Sequence, residues 1–293
     1  MFDITVSMVR KLVDSQFPQW SALPIKPVEK SGHDNRTFHL GDEMTIRLPS
    51  HEAYAAAVEK EAKWLPILAG HISLPIPTPL ALGKPTDYYP LFWSVNTWLE
   101  GDTVERGNIR DLCEFARDLA NFLKELETAP ALGGTPAGVQ NFHRGGDLSV
   151  YDAQARESIK NARDLWDEKL LTEIWELALE TKYTGEPKWV HGDVAVGNLL
   201  SRNGKLCGVI DFGTMGVGDP SSDLVIGWNF LDKKSRKVFF DAMGFDVSTI
   251  NRARGWCLWK ALISYDWNEK ESELAIWGKN AVDEVLREYK GER

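Results

Sequence analysis

The sequence predicts an α+β chain of two unequal lobes: a small β-rich lobe over residues 1–96 and a larger helical one over 97–293. Three observations carry this. Short β-like runs bounded by turn formers concentrate before residue 97. From Ile109 to Leu126, Leu112, Phe115, Leu119, Phe122, Leu123 and Leu126 trace one helix face. The helical half is then interrupted by a single stretch, WVHGDVAVGNLL (189–200), where Asp193 and Asn198 stand among apolar residues.

In chain order, Met8, Val9, Leu12 and Val13 mark an amphipathic helix over residues 3–16. Ile25–Val28, Thr37–Leu40 and Met44–Leu48 read as strands, the last two joined by a tight turn at Gly41-Asp42. A helix rich in Ala, Glu and Lys follows over residues 52–69. LPIPTPLALGKP has too many prolines for a helix interior and reads as a connector or an edge strand. LFWSVNTWL (91–99) returns to β composition and closes at Glu100-Gly101-Asp102.

Composition bounds the function. A net charge of −9 with no basic stripe excludes binding driven by phosphate neutralisation, so no nucleic-acid partner is expected. Three scattered cysteines fit neither a disulfide framework nor a cysteine zinc site. The N-terminus lacks a signal-peptide pattern and no apolar run is long enough to span a bilayer, so the expected location is cytoplasmic, with no membrane partner.

The chemistry concentrates around residues 189–213. Asn203-Gly204 is a strong hairpin signal, because both central residues of a type I′ turn need positive φ. A regular hairpin puts Arg202 opposite Lys205, Leu200 opposite Cys207 and Asn198 opposite Val209. Asp211 then points to the face of Asn198, a diagonal neighbour roughly 7–8 Å away. Two oxygen donors so placed can converge on a hard cation, and Mg2+, which takes few protein ligands, is the natural one. Asp193, on the loop before the same open end, can face a hydroxyl and accept its proton.

HGDVAVGN followed by VIDFG resembles the catalytic and metal loops of the aminoglycoside phosphotransferase family, small-molecule kinases with a protein-kinase-like fold that include choline-kinase-like enzymes. The resemblance implies Asp193 as catalytic base, Asn198 and Asp211 as magnesium ligands, and His191 as a brace for the loop. It also implies that KSGHDNRTFHLG covers the nucleotide, through Ser31, Gly32, His33 and Asn35. Arg47 stands where the family usually has a phosphate-binding Lys, a change of donor geometry at constant charge. Its acidic partner is expected at Glu61, with Glu59 as the alternative. Thr97 and Leu99 fall on the adenine-binding connector. Asp219 and Asp223 are expected to pin the catalytic loop or cap a helix near Ser222, Asp223 as support for the loop.

The implied reaction transfers the γ-phosphoryl group of ATP or GTP to a hydroxyl of a small acceptor, an aminoglycoside or other antibiotic first, an amino alcohol or sugar as the alternative. A nucleotide-binding regulatory module without turnover is the competing class. Trp256, Trp259, Ile263 and Trp267 fall at helical spacing and are expected to pack in the core, whereas Asp266, Glu269, Glu271 and Glu273 could hold an amino sugar or form a solvated face.

Overall fold

The computed structural model describes residues 3–29, 32 and 34–291. Helix α1 (Val6–Gln16) starts at Thr5, whose hydroxyl accepts from the Met8 N–H at 3.3 Å. Strands β1 (Ile25–Pro27), β2 (Asn35–Leu40) and β3 (Met44–Pro49) lead into helix α2 (Ala55–Ala69). Strands β4 (Pro79–Gly83) and β5 (Trp93–Thr97) complete an antiparallel five-stranded sheet in the order β1-β2-β3-β5-β4. The proline-rich segment thus supplies an edge strand, the position where a missing N–H costs least.

The remaining chain is mostly helical. A short strand β6 (Asp102–Thr103) precedes α3 (Leu112–Thr128), α4 (Asp152–Asn161) and α5 (Glu168–Glu180). Strands β7 (Lys188–Val190), β8 (Leu199–Arg202), β9 (Lys205–Val209) and β10 (Gly216–Gly218) frame the polar motif. Helices α6 (Ile226–Asn229), α7 (Lys233–Met243), α8 (Val247–Ser264) and α9 (Glu273–Tyr289) follow. Helix α8 lies at the centre, packed against α4, α5, α9 and the 3₁₀ turn Pro220–Val225.

Burial separates two cores. The smaller joins Val9, Leu12 and Val13 of α1 to Phe38, Ile46, Trp93 and Val95 of the sheet. The larger fills the helical part and also takes Trp64, Leu65 and Leu68 of α2. Helix α2 therefore ties the sheet side to the helical mass. Of the four apolar residues expected in the core near the end of α8, Trp256 and Trp259 are buried. Ile263 is 39% exposed, and Trp267 lies past the helix end and is 37% exposed. Helical spacing cannot extend beyond Ser264, where the helix stops.

The hairpin turns where expected, with Asn203 at φ 56° and Gly204 at φ 81°. Its register is not the regular one. Arg202 pairs with Lys205, but the ladder shifts between Leu200 and Ser201, so Leu200 faces Gly208 and Leu199 faces Val209. Cys207 is the extra residue of a bulge, and one extra residue inverts a period-two count.

Candidate active site

Strand β7 delivers the loop that follows it into a fully buried frame. The His191 and Gly192 N–H groups donate to the two carboxylate oxygens of Asp223, each at 2.7 Å. His191 is buried; one ring nitrogen lies 3.0 Å from the Ile210 carbonyl, and the other accepts from the Asp193 N–H at 3.2 Å. Burial pushes its pKa down, so the ring is a neutral brace between loop and hairpin. Gly192 adopts φ 82°, and a Cβ there would meet the Thr214 carbonyl at 2.7 Å, so only glycine fits the turn. Burial raises the Asp223 carboxyl to about 7, against the pull of the two N–H donors.

Asp193 emerges from this frame half-buried. Burial acts to raise its pKa, but the charge and hydrogen bond of Lys260, with the charge of Arg144, hold it below the usual carboxylate range. Asn198 Nδ2 donates to the Asp193 carbonyl at 2.9 Å and to its carboxylate at 3.1 Å, so neither bond engages Asn198 Oδ1. The Ile210 N–H reaches the Asn198 carbonyl at 2.9 Å, the last rung of the hairpin. Asp211 then leaves the strand in the left-handed region, φ 64° and ψ 69°. Asn198 and Asp211 come to line one cleft through that turn, not through strand alternation.

The cleft has a volume of about 1050 Å³ and is walled by Gly32, Asn35, Arg47, Thr97, Leu99, Asn198 and Asp211 among others. Ser31 and His33 lie outside the described residues. Arg47 donates to both oxygens of Glu61, at 3.0 and 3.2 Å, and to Asp211 at 2.9 Å. Glu61 takes the pair; Glu59 is exposed. Burial works against the Arg47 charge, but Glu61 and Asp211 more than offset it and hold the guanidinium protonated. At the connector, the Thr97 N–H is spent on the Thr78 carbonyl and the Trp98 N–H on Glu43, 2.9 and 2.8 Å.

Asp219 and Asp223 divide the two tasks expected of them. Asp219 caps the turn Pro220–Val225 and pairs with Arg252 at 2.6 Å, both buried, while Asp223 holds the loop. Asp266 accepts from the N–H groups of Asn268 and Glu269, and Glu269, Glu271 and Glu273 are exposed.

Three neighbours of the site went unread in the sequence. Lys260 of α8 forms a hydrogen-bonded ion pair with Asp193. Arg144 packs its Cβ beside Gly192 and lays its guanidinium over Trp256 and Trp259. Lys60 of α2 donates to the Gly213 and Met215 carbonyls, both at 2.8 Å, and burial lowers its pKa to about 8. One signal for Lys260 was available: isolated cations in a helix apolar on nearly every side need buried partners. Arg144, in a glycine-flanked loop, carries no such signal.

Comparison with known proteins decides the family. The model of the phosphotransferase enzyme family matches residues 25–256. The chain belongs to that family. Among members of the phosphotransferase family, an aminoglycoside 3'-phosphotransferase of Escherichia coli is 31% identical over 141 residues, covering 46% of this chain and 51% of that protein. The chain thus spans about half the length of the curated relatives it first matches. The fold agrees over nearly the whole chain. The GDP complex of wild-type aminoglycoside 2'-phosphotransferase-IIIa superposes with a TM-score of 0.75 at 20% identity, covering 98% of this chain and 100% of that one. A macrolide 2'-phosphotransferase type I gives 0.62 at 18% identity, covering 95% and 98%. Among the described residues no helix is long and apolar enough to cross a membrane.

Proposed function

We propose that the chain is a magnesium-dependent small-molecule kinase that transfers the γ-phosphoryl group of ATP or GTP to a hydroxyl of a small acceptor. Residues 1–96 would form its nucleotide-binding lobe and 97–293 the lobe that holds base, metal ligands and acceptor. The observation that carries this reading is the placement of Asp193: it is hydrogen-bonded to Asn198, which shares the wall of the large cleft with Asp211 and Arg47.

Each residue has a task that follows from its chemistry. Asp211 and Asn198 Oδ1 are hard oxygen donors suited to Mg2+ beside phosphate oxygens and water. Asn198 and Asp211 line one cleft, so a hard cation held by both would complete its shell with water and phosphate oxygens. The bound ion would offset charge on the phosphates. Arg47, fixed by Glu61, would add positive charge on the same side. Asp193 would orient the acceptor hydroxyl and take its proton as the new O–P bond forms and the bond from Pγ to the bridging oxygen breaks, releasing the nucleoside diphosphate.

The names of the relatives put aminoglycosides and macrolides first among the acceptors to try. The test is nucleotide consumption and phosphate transfer, followed by mass spectrometry, across aminoglycosides, macrolides, amino alcohols and sugars with Mg2+ and either nucleotide. Transfer that vanishes without Mg2+ and in Asp193→Asn supports the reading; a fully active variant removes Asp193 from its role.

A further inference from the structure

The side of Asp193 turned away from the nucleotide cleft is positively charged. Neither Lys260 nor Arg144 belongs to the cleft wall formed by Arg47, Asn198 and Asp211, yet both act on Asp193. Lys260 reaches the carboxylate directly from α8. Arg144 comes from the loop before α4, packs beside Gly192, and feels the charge of both Asp193 and Asp223.

Arg144 is also short of partners. Among the described residues its Nε, which is buried, has no hydrogen-bond acceptor, and neither has Nε1 of Trp256, the ring over which its guanidinium lies at 5.2 Å. Two buried N–H donors, one on the guanidinium and one on the ring it covers, thus lack an acceptor among the described residues, where such groups are normally satisfied. Beside them Tyr151 stacks on Trp259, ring centroids 3.9 Å apart. The acidic residues downstream do not compensate, since Asp266 is turned to backbone N–H groups and Glu269, Glu271 and Glu273 face solvent. Asp193 thus pairs directly with one cation and feels a second, Arg144, which the buried Asp223 also acts on. A planar guanidinium and a flexible ammonium in that arrangement suit an oxyanion, whereas an ammonium-bearing acceptor would meet like charge.

We propose that the acceptor carries an anionic group, a carboxylate or a phosphate, near the hydroxyl it presents to Asp193, and that Lys260 and Arg144 hold that group. This rests on the reading of Asp193 as the base of phosphoryl transfer. It narrows the acceptor by chemistry and ranks amine-bearing acceptors, aminoglycosides among them, below anionic ones.

The test uses matched acceptors with one carbon skeleton and one hydroxyl, ending in a carboxylate, a phosphate ester, a primary amide or an amine. They are assayed with the full chain, Mg2+ and ATP or GTP. The acid or the phosphate ester is expected to exceed the amide in kcat/KM by about 10–100-fold, the worth of a charge-assisted hydrogen bond, and the better of the two identifies the anion. Lys260→Met and Arg144→Met should each bring the anion-to-amide ratio toward one, mainly through acceptor KM, while Arg144→Lys and Lys260→Arg keep much of it. Thermal melting and nucleotide binding establish that each variant is folded, and the wild-type ratio stands even if Arg144→Met is not. Asp193-dependent transfer in which the amide or amine matches the anions would overturn the proposal and leave the kinase reading intact. So would an equal loss of kcat on all four acceptors in Lys260→Met, which would place Lys260 on the transferred phosphoryl group. No transfer to any acceptor would sink the kinase reading itself.

Discussion

The two sides of the proposed active site are built around different ion pairs. On the cleft side Arg47 is held by two carboxylates, Glu61 and Asp211, and Lys60 adds a second cation beside Glu61. On the other side Asp193 pairs with Lys260, while Arg144, also under the influence of the buried Asp223, adds its charge. The first is a network of direct contacts closed on its own charges; in the second only Lys260 reaches its partner directly, and the Arg144 Nε has no acceptor among the described residues. A closed network and an open one thus lie within one site.

The largest effect should come from removing the residue at the border. If Asp193 accepts the hydroxyl proton, Asp193→Asn lowers kcat by about 10²–10⁴-fold, while nucleotide affinity measured by calorimetry changes little. Next comes the Arg47 side. If Asp211 binds Mg2+, Asp211→Asn takes away a charged oxygen donor, and the Mg2+ concentration for half-maximal rate should rise at least about tenfold. Glu61→Gln sharpens the comparison from the other end, because it leaves Arg47 buried with one carboxylate instead of two. A loss of about 1–3 kcal/mol in urea unfolding is expected, and a neutral result would mean that the network contributes no stability.

A smaller and graded effect separates the site from its support. The folded-state pKa of Asp223, raised to about 7, lies above the 3.8 of an unperturbed Asp. Its contribution to stability is therefore fully present below pH 4 and is lost as pH rises through 7, at most about 1.4 kcal/mol per unit. Asp223→Asn cannot titrate, so the gap in Tm between wild type and variant should narrow from pH 5 to pH 8; a gap that widens would place the titration elsewhere. The smallest effect should follow from Glu271→Gln and Glu273→Gln, exposed and away from the carboxylates that matter, within about 0.5 kcal/mol of wild type.

Much of this was legible in the sequence because its causes are local. Helix α3 followed its apolar face, and the Asn203-Gly204 turn followed from the need for positive φ. Register was not legible, because nothing in the residues around Cys207 announces a bulge. The convergence of Asn198 and Asp211 was anticipated through strand alternation and is achieved instead by the left-handed turn at Asp211. Partners distant in sequence were the least readable. Arg47 and Asp211 are 164 residues apart, and Lys260 and Asp193 are 67 apart, so single-sequence spacing says nothing about either meeting. The pairing of Arg47 with an acid on α2 was anticipated from family resemblance, which supplies tertiary information that periodicity lacks.

Helix α8 sets a limit on how the chain can change length. Arg252 grips Asp219 below the loop and Lys260 grips Asp193 at its tip, eight residues later on the same rigid element. That interval spans about 12 Å along the axis, with the two side chains about 80° apart around it. One inserted or deleted residue between them would swing Lys260 by about 100° while Arg252 stayed in place. Insertions should be tolerated in the turn around Asn268, beyond the helix end, and not within the two turns of helix that hold both grips in phase.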